Sequence, residues 1–104
     1  MSPTPATFYQ GGHSGGGGIC LAVNEDATTV DILIADDPAA PCPPQPPQGE
    51  GDLLLLGLPI ENGSFFFADG ISIAGTFTSP DRVEGTLTLD GGPYTWSATA
   101  VGGP

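Results

Sequence analysis

Between residues 71 and 98 the apolar side chains fall on alternate positions: Ile71, Ile73 and Phe77, then Val83, Leu87 and Leu89, then Tyr94, Trp96 and Ala98. A period of two sends successive side chains to opposite faces of an extended chain, so each run predicts a β-strand with one buried face. The segments between the runs, Ser79-Pro80-Asp81-Arg82 and Asp90-Gly91-Gly92-Pro93, carry the residues that tight turns require. Three consecutive strands joined this way form an antiparallel meander. Gly75 and Gly85 take inward positions in it, which points to a bulge or to close approach of a bulky ring such as Trp96 or a phenylalanine.

The same pattern extends upstream. Residues 7–10 read as a short first strand, Ile19, Leu21 and Val23 as a second, and Val30, Ile32 and Ile34 as a third. Asn24-Glu25-Asp26-Ala27 joins the last two as a hairpin. Leu53-Leu54-Leu55-Leu56 and Phe65-Phe66-Phe67 are continuous apolar runs, expected either to be covered on both faces or to leave one face as a contact patch. No helical periodicity is present. The prediction is an all-β fold, a single antiparallel β-sandwich or barrel of seven to eight short strands.

Length supports one domain over residues 1–104, because two domains of about 50 residues would each bury too little apolar surface. The first strands occupy residues 7–35, a proline-rich loop residues 36–52, and the C-terminal strands and meander residues 53–100. The loop contains PCPPQPPQGEG; proline removes ladder donors and favours extended, solvated backbone. The 17 glycines and 12 prolines would suggest disorder if the apolar residues were not gathered into alternating runs.

Charge narrows the classes of partner. Twelve acidic residues stand against one arginine, Arg82, with no lysine, for a formal net charge of −11. Nucleic acid and anionic membrane surfaces draw affinity from Lys and Arg, so neither is an expected partner. Cations, neutral glycans and other copies of the chain remain. No apolar run approaches the ~20 residues of a membrane span, and no signal peptide or lipobox precedes the first strand. Two cysteines, Cys20 and Cys42, suit one disulfide in an oxidising compartment, against the alternative of two buried thiols. A disulfide closing a loop of this length stabilises by about 3 kcal/mol in the chain-entropy model.

Gly12-His13-Ser14-Gly15-Gly16 matches G-x-S-x-G, the motif of a nucleophile elbow. That elbow needs a following helix and a downstream histidine as base, and His13 is the chain's sole histidine. The chain also lacks the lysine of a phosphate loop. Residues 11–18 are therefore expected to be a flexible connection, a hinge that would let the N-terminal strand stay in its own sheet or reach a neighbour's.

Zinc needs four ligands at recognisable spacing, and His13 with two distant cysteines does not supply them. Calcium accepts carboxylate and turn-carbonyl oxygens, which makes Glu25, Asp26, Asp36, Asp37, Asp69, Asp81 and Glu84 weak candidate ligands. No EF-hand loop is present, and Asp in turns serves local hydrogen bonding. No other cofactor is expected. A carboxylate pair for glycoside hydrolysis has no spaced motif behind it. Candidate contact residues are Tyr9, Leu54, Leu56, Phe66 and Tyr94, whereas Trp96 is expected in the core.

The segments ISIAGTFTSPDRVEGTLTL and YTWSATA resemble the end of a small β-sandwich module of bacterial extracellular and cell-surface proteins. The pattern is carried by Gly75-Thr76-Phe77, Ser79-Pro80, Gly85-Thr86-Leu87 and Trp96-Ser97-Ala98. FYQGGHSGGGGI and residues 60–67 resemble its first half more loosely. The resemblance implies an extracellular location and a sandwich fold, and transfers no catalytic residue. Where such modules often carry a cysteine before the last strand, this chain has Gly91-Gly92-Pro93. The expected function is non-enzymatic: protein–protein contact or self-assembly at the cell surface, with itself or another surface protein as partner. The alternatives are a glycan-binding or calcium-dependent binding module and, behind these, a small barrel enzyme using carboxylates.

Overall fold

The computed structural model describes residues 4–35, 53–89 and 92–102. They form eight strands: β1 (Phe8–His13), β2 (Gly18–Val23), β3 (Thr29–Ile34), β4 (Leu53–Pro59), β5 (Ser64–Asp69), β6 (Ile71–Ser79), β7 (Arg82–Leu89) and β8 (Gly92–Gly102). All lie in one antiparallel sheet of order β4-β3-β2-β1-β8-β7-β6-β5. Each strand neighbours the next in sequence with one exception, because β1 pairs with β8 and so joins the two halves of the chain. The sheet thereby curls into a nearly closed, barrel-like body whose two open edges belong to consecutive strands, β4 and β5. The fold is all-β, as the alternation predicts.

Alternation decides what lies inside. Ile19, Leu21, Val30, Ile32, Ile73, Phe77, Val83 and Leu87 all turn inward and form the core together with Tyr9, Phe65, Trp96 and Ala98. Eight strands leave an interior that side chains alone can fill. The apolar runs are split by facing: Leu55 and Phe65 are buried, while Phe66, between Phe65 and Phe67, and Leu56, before the irregularity at Gly57, are exposed.

Of the two inward glycines, Gly75 makes room for rings. A Cβ on Gly75 would lie 2.4 Å from the Phe65 ring and 2.7 Å from that of Trp96. The Trp96 indole N–H donates to the carbonyls of Ala74 and Thr86 at 3.2 and 3.1 Å, which fixes the ring against β6 and β7. A Cβ on Gly85 would stand 1.9 Å from the Ala74 carbonyl oxygen, so there the close neighbour is backbone.

The β2–β3 turn is organised by Asn24, whose side-chain carbonyl accepts from the amides of Thr28 and Thr29 at 2.7 and 3.1 Å. Cys20 is fully buried but lies on the opposite face from Ile19 and Leu21, outside the main core cluster. Its expected partner Cys42 lies outside the described residues, as does the proline-rich loop.

Two expectations about the N-terminus change. The first strand does not stop at residue 10 but runs through Gly11 and Gly12 to His13, pairing with β2 on one side and β8 on the other. Glycine at position 11 permits this: a Cβ there would lie 1.9 Å from the Ser97 carbonyl oxygen. The connection to β2 is therefore only residues 14–17, and it is bonded at several points. His13 N–H donates to Gly17 O at 3.0 Å, Ser14 N–H to Thr95 O at 2.8 Å, and Thr95 N–H to Ser14 Oγ at 3.1 Å. Exchange of β1 with a neighbour would have to break two ladders.

Candidate functional site

The site is the place where the barrel fails to close. Glu61-Asn62-Gly63-Ser64 forms a two-residue hairpin turn, with Asn62 and Gly63 both at positive φ (53° and 76°). Asn-Gly favours this turn because both central residues must be left-handed. Glu61 and Ser64 exchange both backbone bonds, at 2.8 and 2.9 Å. Among the described residues this bridge is where the β4–β5 ladder ends.

The reason is legible in one residue. Two positions beyond a bonded pair, an antiparallel ladder needs the next bonded pair, which here would be Pro59 with Phe66. Proline has no N–H to contribute. The Ile60 amide is taken by the Thr28 carbonyl at 2.8 Å, drawing the end of β4 toward the β2–β3 turn. Farther along, Gly57 at φ 68° creates an irregularity in the β3–β4 register. Its N–H donates to the Asp31 carboxylate at 2.8 Å. A positive-φ glycine and a proline thus interrupt β4 on either side of Leu58.

Backbone alternation places the free edge of β5. Ser64 turns its N–H and C=O toward Glu61, so Phe66 and Ala68, two and four residues on, turn theirs to the same side, away from β6. The opening is apolar. Leu56 and Phe66 are 67% and 66% exposed, values that mark them out from the core leucines and phenylalanines. Leu53, Ile60 and Phe67 pack against the core from its margin. A depression of about 250 Å³ lies at the turn end, lined by Pro59, Glu61, Ser64, Phe65 and Phe66.

The expected contact residues divide accordingly. Leu56 and Phe66 are at the seam, and Leu54 is half-buried on the outer face of β4 beside Leu33. Tyr9 is a correction: it has no exposed surface, because its place in the alternation is inward. Its ring meets Phe77 edge-on at 5.3 Å, and its hydroxyl donates to the Pro80 carbonyl and accepts from the Thr4 amide. Tyr94 is half-buried with its ring 5.4 Å from that of His13, at the barrel end covered by residues 14–17. Sequence reasoning did not single out Pro59 or the Asn62-Gly63 turn as what opens the seam, although both are visible as residue types.

The carboxylates do not converge. Among the described residues no three of His, Cys, Asp and Glu come together as a metal site. Glu25 and Asp26 sit exposed in the β2–β3 turn and Asp69 at the end of β5. Asp81 accepts from Ser79 Oγ at 2.6 Å, and Glu84 pairs with Arg82 at 3.4 Å. Asp36 and Asp37 lie outside the described residues.

A broader groove of about 700 Å³ crosses the outer face of β1 and β6–β8. Thr76, Thr78, Thr86 and Ser97 line it together with the Arg82–Glu84 pair, and among the described residues Glu84 is its sole carboxylate. Ser14, the serine of the G-x-S-x-G match, reaches this groove but is bonded to Thr95, and the His13 ring lies behind it with Nδ1 accepting from the Gly15 amide at 3.2 Å.

No helix is long and apolar enough to cross a membrane. Compared with protein-family models, curated proteins and solved structures, the chain finds no match in any of the three.

Proposed function

We propose that this chain is a non-enzymatic β module that acts by protein–protein contact, and that the open β4–β5 seam is its contact surface. One observation carries the reading: the sheet's two edge strands carry exposed Leu56 and Phe66, and the outward backbone groups of Phe66 and Ala68 have no strand partner among the described residues. Such an edge is a template for strand addition, in which main-chain bonds give affinity and alternate side chains give selectivity. A second copy and another surface protein are the two kinds of partner.

The proposal places the module outside the cell or at its surface. No cysteine among the described residues is free, and Cys42 is the chain's only cysteine other than Cys20. A Cys20–Cys42 disulfide belongs to this reading and to an oxidising compartment. The resemblance of residues 71–89 and 94–100 to bacterial cell-surface modules points the same way. Alkylation without reductant, followed by mass measurement, tests the bond: uptake of two labels by the native protein would refute it.

Association is tested by measuring mass against concentration, and by cross-linking to partners, for the wild type and for Leu56→Ser with Phe66→Ser. The double substitution is expected to abolish contact while leaving the monomer folded. A variant that still associates like the wild type would overturn the seam as the surface.

The hydroxyl-lined groove on β6–β8 favours a second reading, a neutral glycan held by Thr and Ser side chains. A ligand that binds only the native state raises its melting temperature. This reading fails if a panel of neutral oligosaccharides produces no shift.

A further inference from the structure

The charge at the seam says more than that a strand can dock there. β5 has an acid at each end of its free edge: Glu61 in the bridge next to Ser64, and Asp69 as the last residue of the strand. Both are exposed. Between them lie Phe66 and Ala68, whose outward backbone groups pair with no strand among the described residues, and the exposed Phe66 ring. No positive charge of the chain answers these acids. It has no lysine, and its one arginine, Arg82, lies on β7, on the far side of β6, with its Nε on Glu84.

Building on the strand-addition reading, we infer that the seam's partner is a basic, amphipathic strand of a different protein: alternating apolar and Lys or Arg side chains, with cations near both ends of the pairing. Ser64 is already bonded to Glu61, so the open edge is residues 65–69, ~16 Å long at ~3.3 Å per residue. The apolar side chains of such a strand lie beside Phe66, and its cations meet Glu61 and Asp69. A second copy supplies the opposite of what the site needs. It brings another net charge of −11 and a single arginine already engaged by Glu84. Like charges across an interface repel within a Debye length of ~8 Å at physiological salt.

The test uses capped eight-residue peptides alternating Val with Lys, Val with Thr, or Val with Glu, titrated into the full chain at low and at physiological salt. The Val/Lys peptide is expected to bind most tightly, the Val/Thr peptide several-fold more weakly, and the Val/Glu peptide not at all. Raising the salt should bring the Lys and Thr peptides together. Glu61→Gln with Asp69→Asn should weaken the Lys peptide several-fold and leave the Thr peptide unchanged. A Val/Lys peptide N-methylated on alternate residues, and the Phe66→Ser variant, should both lose binding. Retained binding in either would mean charge attraction elsewhere on the surface and would overturn the inference. Equal binding of the Lys and Glu peptides would overturn the charge argument while leaving the seam as a contact surface. Binding of none of the three would remove the seam reading as well.

Discussion

Gly17 lies so close to His13 that a Cβ on it would stand 2.4 Å from the imidazole Nε2, and 2.0 Å from the Ala35 carbonyl oxygen. The histidine faces inward from the end of β1, its Nε2 is buried without a hydrogen-bond partner, and Nδ1 accepts from Gly15. The glycine-rich stretch is thus a close-fitting cover over one end of the barrel.

Gly17→Ala should destabilise the fold by about 1–3 kcal/mol, because the overlap is with backbone that cannot yield cheaply. Gly16→Ala should cost about 1–2 kcal/mol for another reason: its φ of 98° suits glycine, while nothing crowds the position. Urea denaturation of both variants, with the histidine ring resonances as a local probe, separates the two. Only Gly17→Ala should move the ring signals strongly.

At Gly75 the obstruction is two aromatic rings, which can be trimmed. Gly75→Ala should destabilise by about 1–3 kcal/mol, and adding Phe65→Leu should recover part of that loss. A double-mutant cycle by thermal unfolding is expected to give a coupling of about 1 kcal/mol. Additive losses would show that Phe65 is not what crowds the site.

Tyr9→Phe keeps the ring against Phe77 but leaves the Pro80 carbonyl and the Thr4 amide without the phenol. The expected cost is about 1 kcal/mol. Hydrogen exchange should quicken at the Thr4 amide and not at Leu21 in β2.

Asp31→Ala removes the acceptor of the Gly57 amide and should cost about 0.5–1.5 kcal/mol, with faster exchange at Gly57. Leu56→Ser, one residue away and largely exposed, should change stability by no more than about 0.5 kcal/mol. Together the two substitutions separate the interruption of β4 at Gly57 from the surface beside it.

Much of this protein is local and therefore present in its residue order. Alternation is a property of each strand by itself, so the inward faces of Ile71–Ser79 and Arg82–Leu89, the Asn24 turn and the role of Gly75 can all be read without a partner strand in view. Tyr9 shows the limit: a tyrosine in a short N-terminal run has the same pattern whether its strand is an edge or the centre of a sheet. Only the pairing of β1 with β8 makes it central and buries it. The seam is the converse case. Leu56 and Phe66 occupy outward positions by alternation alone, yet so do Leu33 and Cys20, which are fully buried. Which outward residues meet solvent depends on what packs over each face, and contacts between residues far apart in the chain decide that: outward Thr86, on the doubly paired strand β7, is exposed. The seam likewise depends on a proline whose missing amide matters only once a neighbouring strand would have needed it.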